Sequence, residues 1–249
     1  VTIKSAEEIE KMRRAGKILA AVHQNLAREI KPGMSTLDID RLGEEMIRGY
    51  GCIPSFKNYC GYPASICVSL NQEVVHGIPD KHRLIQDGDI VSLDAGLIHE
   101  GYHSDAARTH AVGNISEEAK RLIEVTKQSF FEGIKLAVPG NHLFDISEAI
   151  QKYVESNGYS VVRDLVGHGI GTHLHEDPQI PNFKQRRKGM KLRPGMTLAI
   201  EPMVNEGSYD VVWLDDDWTV VTEDGSLAAH YENTIVITED GCEILTLSE

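Results

Sequence analysis

The chain has 249 residues, 41% hydrophobic and 25% charged, an ordinary globular composition long enough to bury a core without disulfide staples. Its formal net charge of -13 argues against a broad phosphate-binding face and a specific nucleic-acid role, leaving one short basic stretch, Lys184-Gln185-Arg186-Arg187-Lys188, which reads as a solvated rim. No apolar run approaches the ~18 residues of a membrane span, Cys52, Cys60, Cys67 and Cys242 lack a CxxC spacing and so do not read as a disulfide scaffold, and the lack of a leader after Val1 makes the cytoplasm the expected location.

Ser5-Ala6-Glu7-Glu8 is a capping box, with Ser5 as cap and Glu8 reaching back. Ile9, Met12, Leu19, Val22, Leu26 and Ile30 follow at near-helical spacing until Pro32-Gly33 stops the helix. A second helix starts near Thr36, buries Ile39, Leu42 and Met46, and fades at the glycines around Tyr50. Short β-branched and apolar runs then predict strands at Ser65–Ser69, Ile90–Leu93 and Leu97–Tyr102. Ser116 opens a third helix, with Ala119, Leu122, Ile123, Phe130 and Ile134 on one side; a fourth spans Asp145 to Ser156. Further strands are predicted at Thr197–Ile200 and Thr234–Thr238.

These elements recur at one offset. Pro32-Gly33 returns as Pro139-Gly140, Asp38-Ile39 as Asp145-Ile146, Gly51 as Gly158, Gly88 as Gly195 and Asp94 as Glu201, each 107 positions on (139 − 32 = 107). The register holds through two helices, a turn and a strand, so the halves, approximately 5–110 and 116–245, are expected to be an internal duplication fused into one domain of residues 1–249. Each copy ends in a strand that leads to an acid. Packed about a pseudo-two-fold axis, such copies would bring Asp94 and Glu201 face to face across one pocket.

Four acids abut these apolar strands: Asp94, Asp105, Glu201 and Glu232. A bare carboxylate in such surroundings costs several kcal/mol or more unless it is protonated, paired or metal-bound, and Arg108 is the main basic neighbour. His168 stands among glycines in Val166-Gly167-His168-Gly169-Ile170-Gly171, where the backbone can approach closely. Four carboxylates and one imidazole can hold two divalent ions, because a carboxylate can bridge where an imidazole cannot. The oxygen-rich set suits Mn, Fe or Co and tolerates Zn, and it lacks the thiolates of a structural zinc site.

The stretches SLDAG (Ser92–Gly96), HSDAART (His103–Thr109), GHGIG (Gly167–Gly171), IEP (Ile200–Pro202) and YENTIVIT (Tyr231–Thr238), in this order and spacing, resemble the type I methionine aminopeptidases of bacteria. The resemblance runs over essentially the whole chain. It implies an α/β pita-bread fold, internally duplicated, with an antiparallel-rich curved sheet and flanking helices. It implies removal of the N-terminal methionine from nascent proteins and peptides whose second residue is small, by water activated between two metal ions. Asp94 would be a terminal ligand of the first ion, Asp105 and Glu232 would bridge, and His168 and Glu201 would complete the second. Glu201 would also shuttle a proton, His76 would lie near the scissile amide, and His175 would contact the carbonyl oxygen. Phe56, Tyr59, Tyr62, Cys67, Leu174 and Trp218 would line the methionine pocket. A monomer acting on nascent N-termini, with contact to the ribosome, goes with that substrate class.

Val75 and Phe56 stand where the bacterial enzymes often carry cysteine, and Thr172-His173-Leu174 also departs from the pattern, which bears on pocket shape and leaves the ligand set whole. His173 has no role in the pattern and reads as a surface residue; His82, His99 and His110 read as loop or strand-face residues. Two other readings compete: a proline-directed peptidase of the same fold, and a binding module that has lost catalysis. The intact ligand set counts against the second.

Overall fold

The computed structural model describes residues 1–247, so that Ser248 and Glu249 of the expected 1–249 domain lie outside the described residues. Helix α1, Ala6–Glu29, carries the Ser5–Glu8 capping box, and α2, Thr36–Gly49, has a second one between Ser35 and Asp38. Ser116 caps α3, Glu117–Ile134. Helix α4, Leu143–Ser156, begins two residues before the predicted Asp145. Asp145 is the third helical residue, its carboxylate reaching back to the His142 backbone N–H at 2.8 Å, so the acid marks the first turn rather than the first residue.

Nine strands of the described residues form the main sheet. Along its path run Ile53–Pro54, Ile90–His99, Tyr102–Ala111, Glu232–Ile237, Thr197–Ile200, Gly167–Gly169 and Glu176–Ile180, and every pairing among them is antiparallel. The predicted strand Leu97–Tyr102 is broken by a hairpin turn at Glu100-Gly101, so that Leu97–His99 end one strand and Tyr102 begins the next. Glu100 and Gly101 both have positive φ, 49° and 83°, as a two-residue turn between twisted strands requires. Ile90–Leu93 accordingly continues to His99, and Asp94 sits in mid-strand rather than at a strand end. The return strand, Tyr102–Ala111, escaped prediction because its polar run HSDAARTH lacks the composition of a strand.

The sheet's pleat separates two environments. Val91, Leu93, Ala95 and Leu97 pack under α1 and α2 with Leu19, Leu26, Ile39 and Ile47. Leu198, Ile200, Ile235 and Ile237 pack under α3 and α4 with Leu122, Phe130, Ile146 and Ile150. Side chains of a strand alternate between faces, so Asp94, Glu232 and Thr234 point away from the helices. On that opposite side Val236 joins Phe56, Tyr62, Cys67, Ile170 and Leu174 in a separate apolar cluster.

Backbone contacts recur at the 107-residue offset. Gly33 N–H donates to the Ile85 carbonyl and Gly140 N–H to the Leu192 carbonyl; Thr36 N–H donates to Arg83 and Leu143 N–H to Met190. Isolated bridges join Ser35 to Leu84 and His142 to Lys191. Cys52, Cys60, Cys67 and Cys242 are all free thiols. No helix among the described residues is long and apolar enough to cross a membrane.

Two imidazoles lie between α1 and the sheet. His23 is 4% exposed, with Nε2 at 2.8 Å from the Ala106 carbonyl. Burial, then the nearby Arg108 guanidinium and His110, hold it well below the ordinary histidine range. His110 is lowered to about 4 by burial and Arg108. The folded protein therefore binds fewer protons here than the unfolded chain between pH ~6.5 and ~4, and stability falls as pH drops through that window. His110→Leu should remove part of the loss: between pH 7 and 4.5, urea unfolding should show it losing roughly 2–3 kcal/mol less than the parent. Equal losses would place the acid sensitivity elsewhere.

Candidate metal centre

A cavity of about 380 Å³ opens on the face away from the helices, and every residue nominated from sequence lines it. Asp94, Asp105, His168, Glu201 and Glu232 gather in its polar part, with His76 and His175 beside them. Phe56, Tyr59, Tyr62, Cys67, Leu174 and Trp218 supply the apolar wall.

Each acid is aimed by its strand. Asp94 pairs with Cys67 on one side and Ala107 on the other. Asp105 is held by its backbone: its N–H donates to the Thr234 hydroxyl at 3.1 Å, and that hydroxyl donates to the Asp105 carbonyl at 2.8 Å. Glu232 opens its strand opposite Ala107, and Glu201 follows Thr197–Ile200. His168 lies in a three-residue strand between two others, with glycine on each side. A Cβ at Gly167 would stand 2.4 Å from the Ala199 carbonyl oxygen, and one at Gly169 2.3 Å from that of Asp177, so only glycine lets these strands close on the imidazole. Nδ1 of His168 donates to the Gly169 carbonyl at 2.8 Å, which turns Nε2 toward Asp105 Oδ2 and Glu201 Oε1, both at 3.6 Å.

No lysine or arginine pairs with any of the four acids among the described residues; their ion pairs are with His168 and His230. Arg108, the one basic candidate, spends its guanidinium on the Ala107, Glu232 and Thr246 carbonyls and Asn233 Oδ1 while lying over the Tyr231 ring. One oxygen each of Asp94, Asp105 and Glu232 is buried without a hydrogen-bond partner. Burial, then the charges of Asp105 and Glu201, push the Asp94 carboxyl far above its usual range. Burial, then Asp105, Glu201 and Asp94, do the same to Glu232, with Arg108 opposing. Burial opposes protonation of His168, yet the facing Asp105 and Glu201 carboxylates prevail and raise it.

At the cavity mouth, the Tyr59 hydroxyl meets His175 Nδ1 at 2.7 Å, and the His175 ring stands 4.3 Å from that of His168. The pocket walls and His168 hold His175 below the usual histidine value, although the residue is exposed at its outer edge. His76 has φ of 61°, a strained setting for a side-chain-bearing residue, which turns its ring toward Trp218. Burial lowers it to about 4 against the pull of Glu201. His173 is exposed, at 3.3 Å from Thr172 Oγ1.

Metallopeptidase family M24 matches residues 10–239. A methionine aminopeptidase of Clostridium acetobutylicum is 59% identical over 249 residues, covering all of both chains, and methionine aminopeptidase 1 of Bacillus subtilis is 54% identical over 99% of each. The crystal structure of a methionine aminopeptidase from Thermotoga maritima superposes with a TM-score of 0.97, at 49% identity over the full length of both chains.

The chain belongs to metallopeptidase family M24. Within the family it groups with the methionine aminopeptidases of bacteria, and its antiparallel sheet with flanking helices is the pita-bread fold expected from the motifs. Members of this family depend on divalent metal, and the donor set fits such ions: clustered carboxylates with unpartnered buried oxygens, no basic partner among the described residues and an imidazole nitrogen turned inward. The motifs had not pointed to Asp164, Leu165 or Met203, which also line the cavity, nor to His230 beneath its acids. His230 stands two residues before Glu232, a strand-period spacing that was its one signal in the sequence.

The acids' mutual repulsion yields a direct test. In chelator at pH 7.5, Asp94→Asn should melt at or above the parent temperature, since one buried negative charge is gone. With Mn or Co at about 100 times Kd, the parent should gain ~2.7 kcal/mol per bound ion while the variant gains for one ion fewer. A variant that melts well below the parent in chelator and still responds fully to metal would contradict this account.

Proposed function

We propose that the chain removes an N-terminal methionine from peptides and nascent chains whose second residue is small, using two divalent ions. Asp94, Asp105, His168, Glu201 and Glu232 would hold the ions, with Asp105 and Glu232 shared between them. The observation that carries this reading is the union of an unneutralised carboxylate cluster with an adjoining apolar cavity in a chain this similar to methionine aminopeptidases. Bound ions would supply Lewis acidity and lower the pKa of water at the site; the same ligand set accepts Mn, Fe, Co or Zn.

The remaining chemistry belongs to the side chains. A neutral His175 that accepts from the Tyr59 hydroxyl at Nδ1 carries its proton on Nε2, a donor suited to the oxyanion that develops on the first peptide carbonyl. His76, kept neutral by burial, is suited to orient the leaving amide. Glu201 lies between His168 and His230, in reach of the reacting groups, and is suited to carry a proton to the leaving amine. Tyr62 and Trp218 meet edge to face at 5.1 Å, and with Phe56, Cys67 and Leu174 they give a soft, unbranched side chain an apolar enclosure. A substrate at nascent N-termini goes with a monomer in the cytoplasm, working near the ribosome.

Metal-stripped protein should be inert on Met-Ala-Ser and regain hydrolysis with Mn, Fe or Co, leaving an Xaa-Pro peptide untouched. Full activity after verified stripping would refute the metal reading, and preference for Xaa-Pro would favour a proline-directed peptidase. His175→Ala and His76→Ala should each lower kcat by about 10²–10³ with metal content retained; unchanged turnover would remove that residue from the mechanism.

A further inference from the structure

The four acids and one imidazole carried by the motifs leave one buried side chain of the centre unused. His230 is 1% exposed, and its Nε2 has no hydrogen-bond partner. That nitrogen faces Glu201 Oε2 at 3.6 Å and Glu232 Oε2 at 4.0 Å. Both distances are beyond hydrogen-bond range. They are the separations expected of donors sharing one ion, since ligands ~2.0–2.2 Å from a common cation stand roughly 3–4 Å apart. Glu201, His230 and Glu232 each offer a ligand atom within 4.8 Å of the others, as do Asp105, His168 and Glu232.

The carboxylate of Glu201 thus lies between two imidazoles, Oε1 toward His168 and Oε2 toward His230. His230 does not line the cavity; it approaches from the protein side. A ligand in that place closes an ion's shell toward the core and leaves its substrate side open, as a catalytic site requires.

The backbone holds His230 there. Its strand, Ala228–His230, pairs with Met203–Asn205, setting His230 opposite Met203, two residues beyond Glu201. Its N–H donates to the Thr109 hydroxyl at 2.9 Å, and that hydroxyl donates to the His230 carbonyl at 2.8 Å. With the Thr109 proton committed, Ser92, 2.8 Å away, must be the donor to Thr109. The arrangement matches the hydroxyl clamp of Thr234 on Asp105, a residue that is itself placed among the metal ligands.

We propose that His230 is a further protein ligand of the metal centre, binding a divalent ion through Nε2 together with Glu201 and Glu232. The inference rests on the two-ion reading above and extends it. The added nitrogen shifts the centre's preference from Mn toward Co and other later ions of the first row.

The test measures metal rather than turnover. Purified full-length protein, stripped and reloaded with two equivalents of Co, is compared with His230→Gln and His230→Phe by X-ray absorption and chelator competition. Outer-shell scattering in the parent should correspond to one imidazole per cobalt, falling by half in either variant. Affinity for one of the two Co ions should drop at least ~10-fold in His230→Gln, with a smaller loss for Mn, so that the Co-over-Mn preference narrows. Half an imidazole per cobalt in the parent overturns the proposal by itself, even where a variant fails to fold. Unchanged affinity and imidazole count in His230→Gln overturn it too while leaving the two-ion reading intact. Failure of the parent to bind any divalent ion overturns both.

Discussion

Four carboxylates gathered in one cavity, with no lysine or arginine paired to them among the described residues, set the terms for this molecule. In a poorly solvated site, like charges at such separations repel strongly, and each deprotonated oxygen left without a donor adds a desolvation cost. Protonation relieves part of this, which is why Asp94 and Glu232 are driven far upward. Bound divalent cations would relieve more of it and turn a destabilising feature into a functional one. The fold must be stable enough elsewhere to carry the centre while it is metal-free, and two apolar cores under paired helices provide that support.

The sheet does the positioning. Its pleat sends Leu93 and Ala95 into the helix-covered core and Asp94 to the other face, so the rule that builds the core also isolates the acid. Thr234 and Thr109 each use one hydroxyl to accept from and donate to the backbone of a residue on a neighbouring strand, Asp105 and His230 respectively. Such clamps fix side-chain origins without spending the side chain, leaving carboxylate and imidazole atoms for ligation. Arg108 works the same way at longer reach: its guanidinium ties the Glu232 and Thr246 carbonyls together and so builds the site without neutralising it.

Metal centre and apolar wall meet in one cavity because their strands share a face. Val236 packs with Phe56 and Tyr62, while Glu232, four residues earlier on the same strand and the same side, enters the acid cluster. A substrate side chain lodged against the apolar wall would therefore bring the adjoining peptide bond to the carboxylates. His175, tied to Tyr59 and set edge to face against His168, stands where these two regions join.

Much of this was legible in the residues themselves. Capping boxes, helix stops and the 107-residue repeat are local or periodic signals, carried by short-range sterics and hydrogen bonds that a chain expresses wherever it is placed. An acid amid apolar strand residues is also conspicuous in isolation, so the five motif residues could be nominated as candidate ligands before any geometry was known. The hairpin at Glu100-Gly101 was not legible, since its polar return strand is held by pairing partners rather than by composition. Nor was His230, whose meaning depends on where its Nε2 lies relative to Glu201, a residue 29 positions away in the chain. Sequence alone determined which side chains have no good reason to be buried. Tertiary structure decided what they are buried against, because distances between strand neighbours are set by register and pleat, which no local stretch of chain encodes.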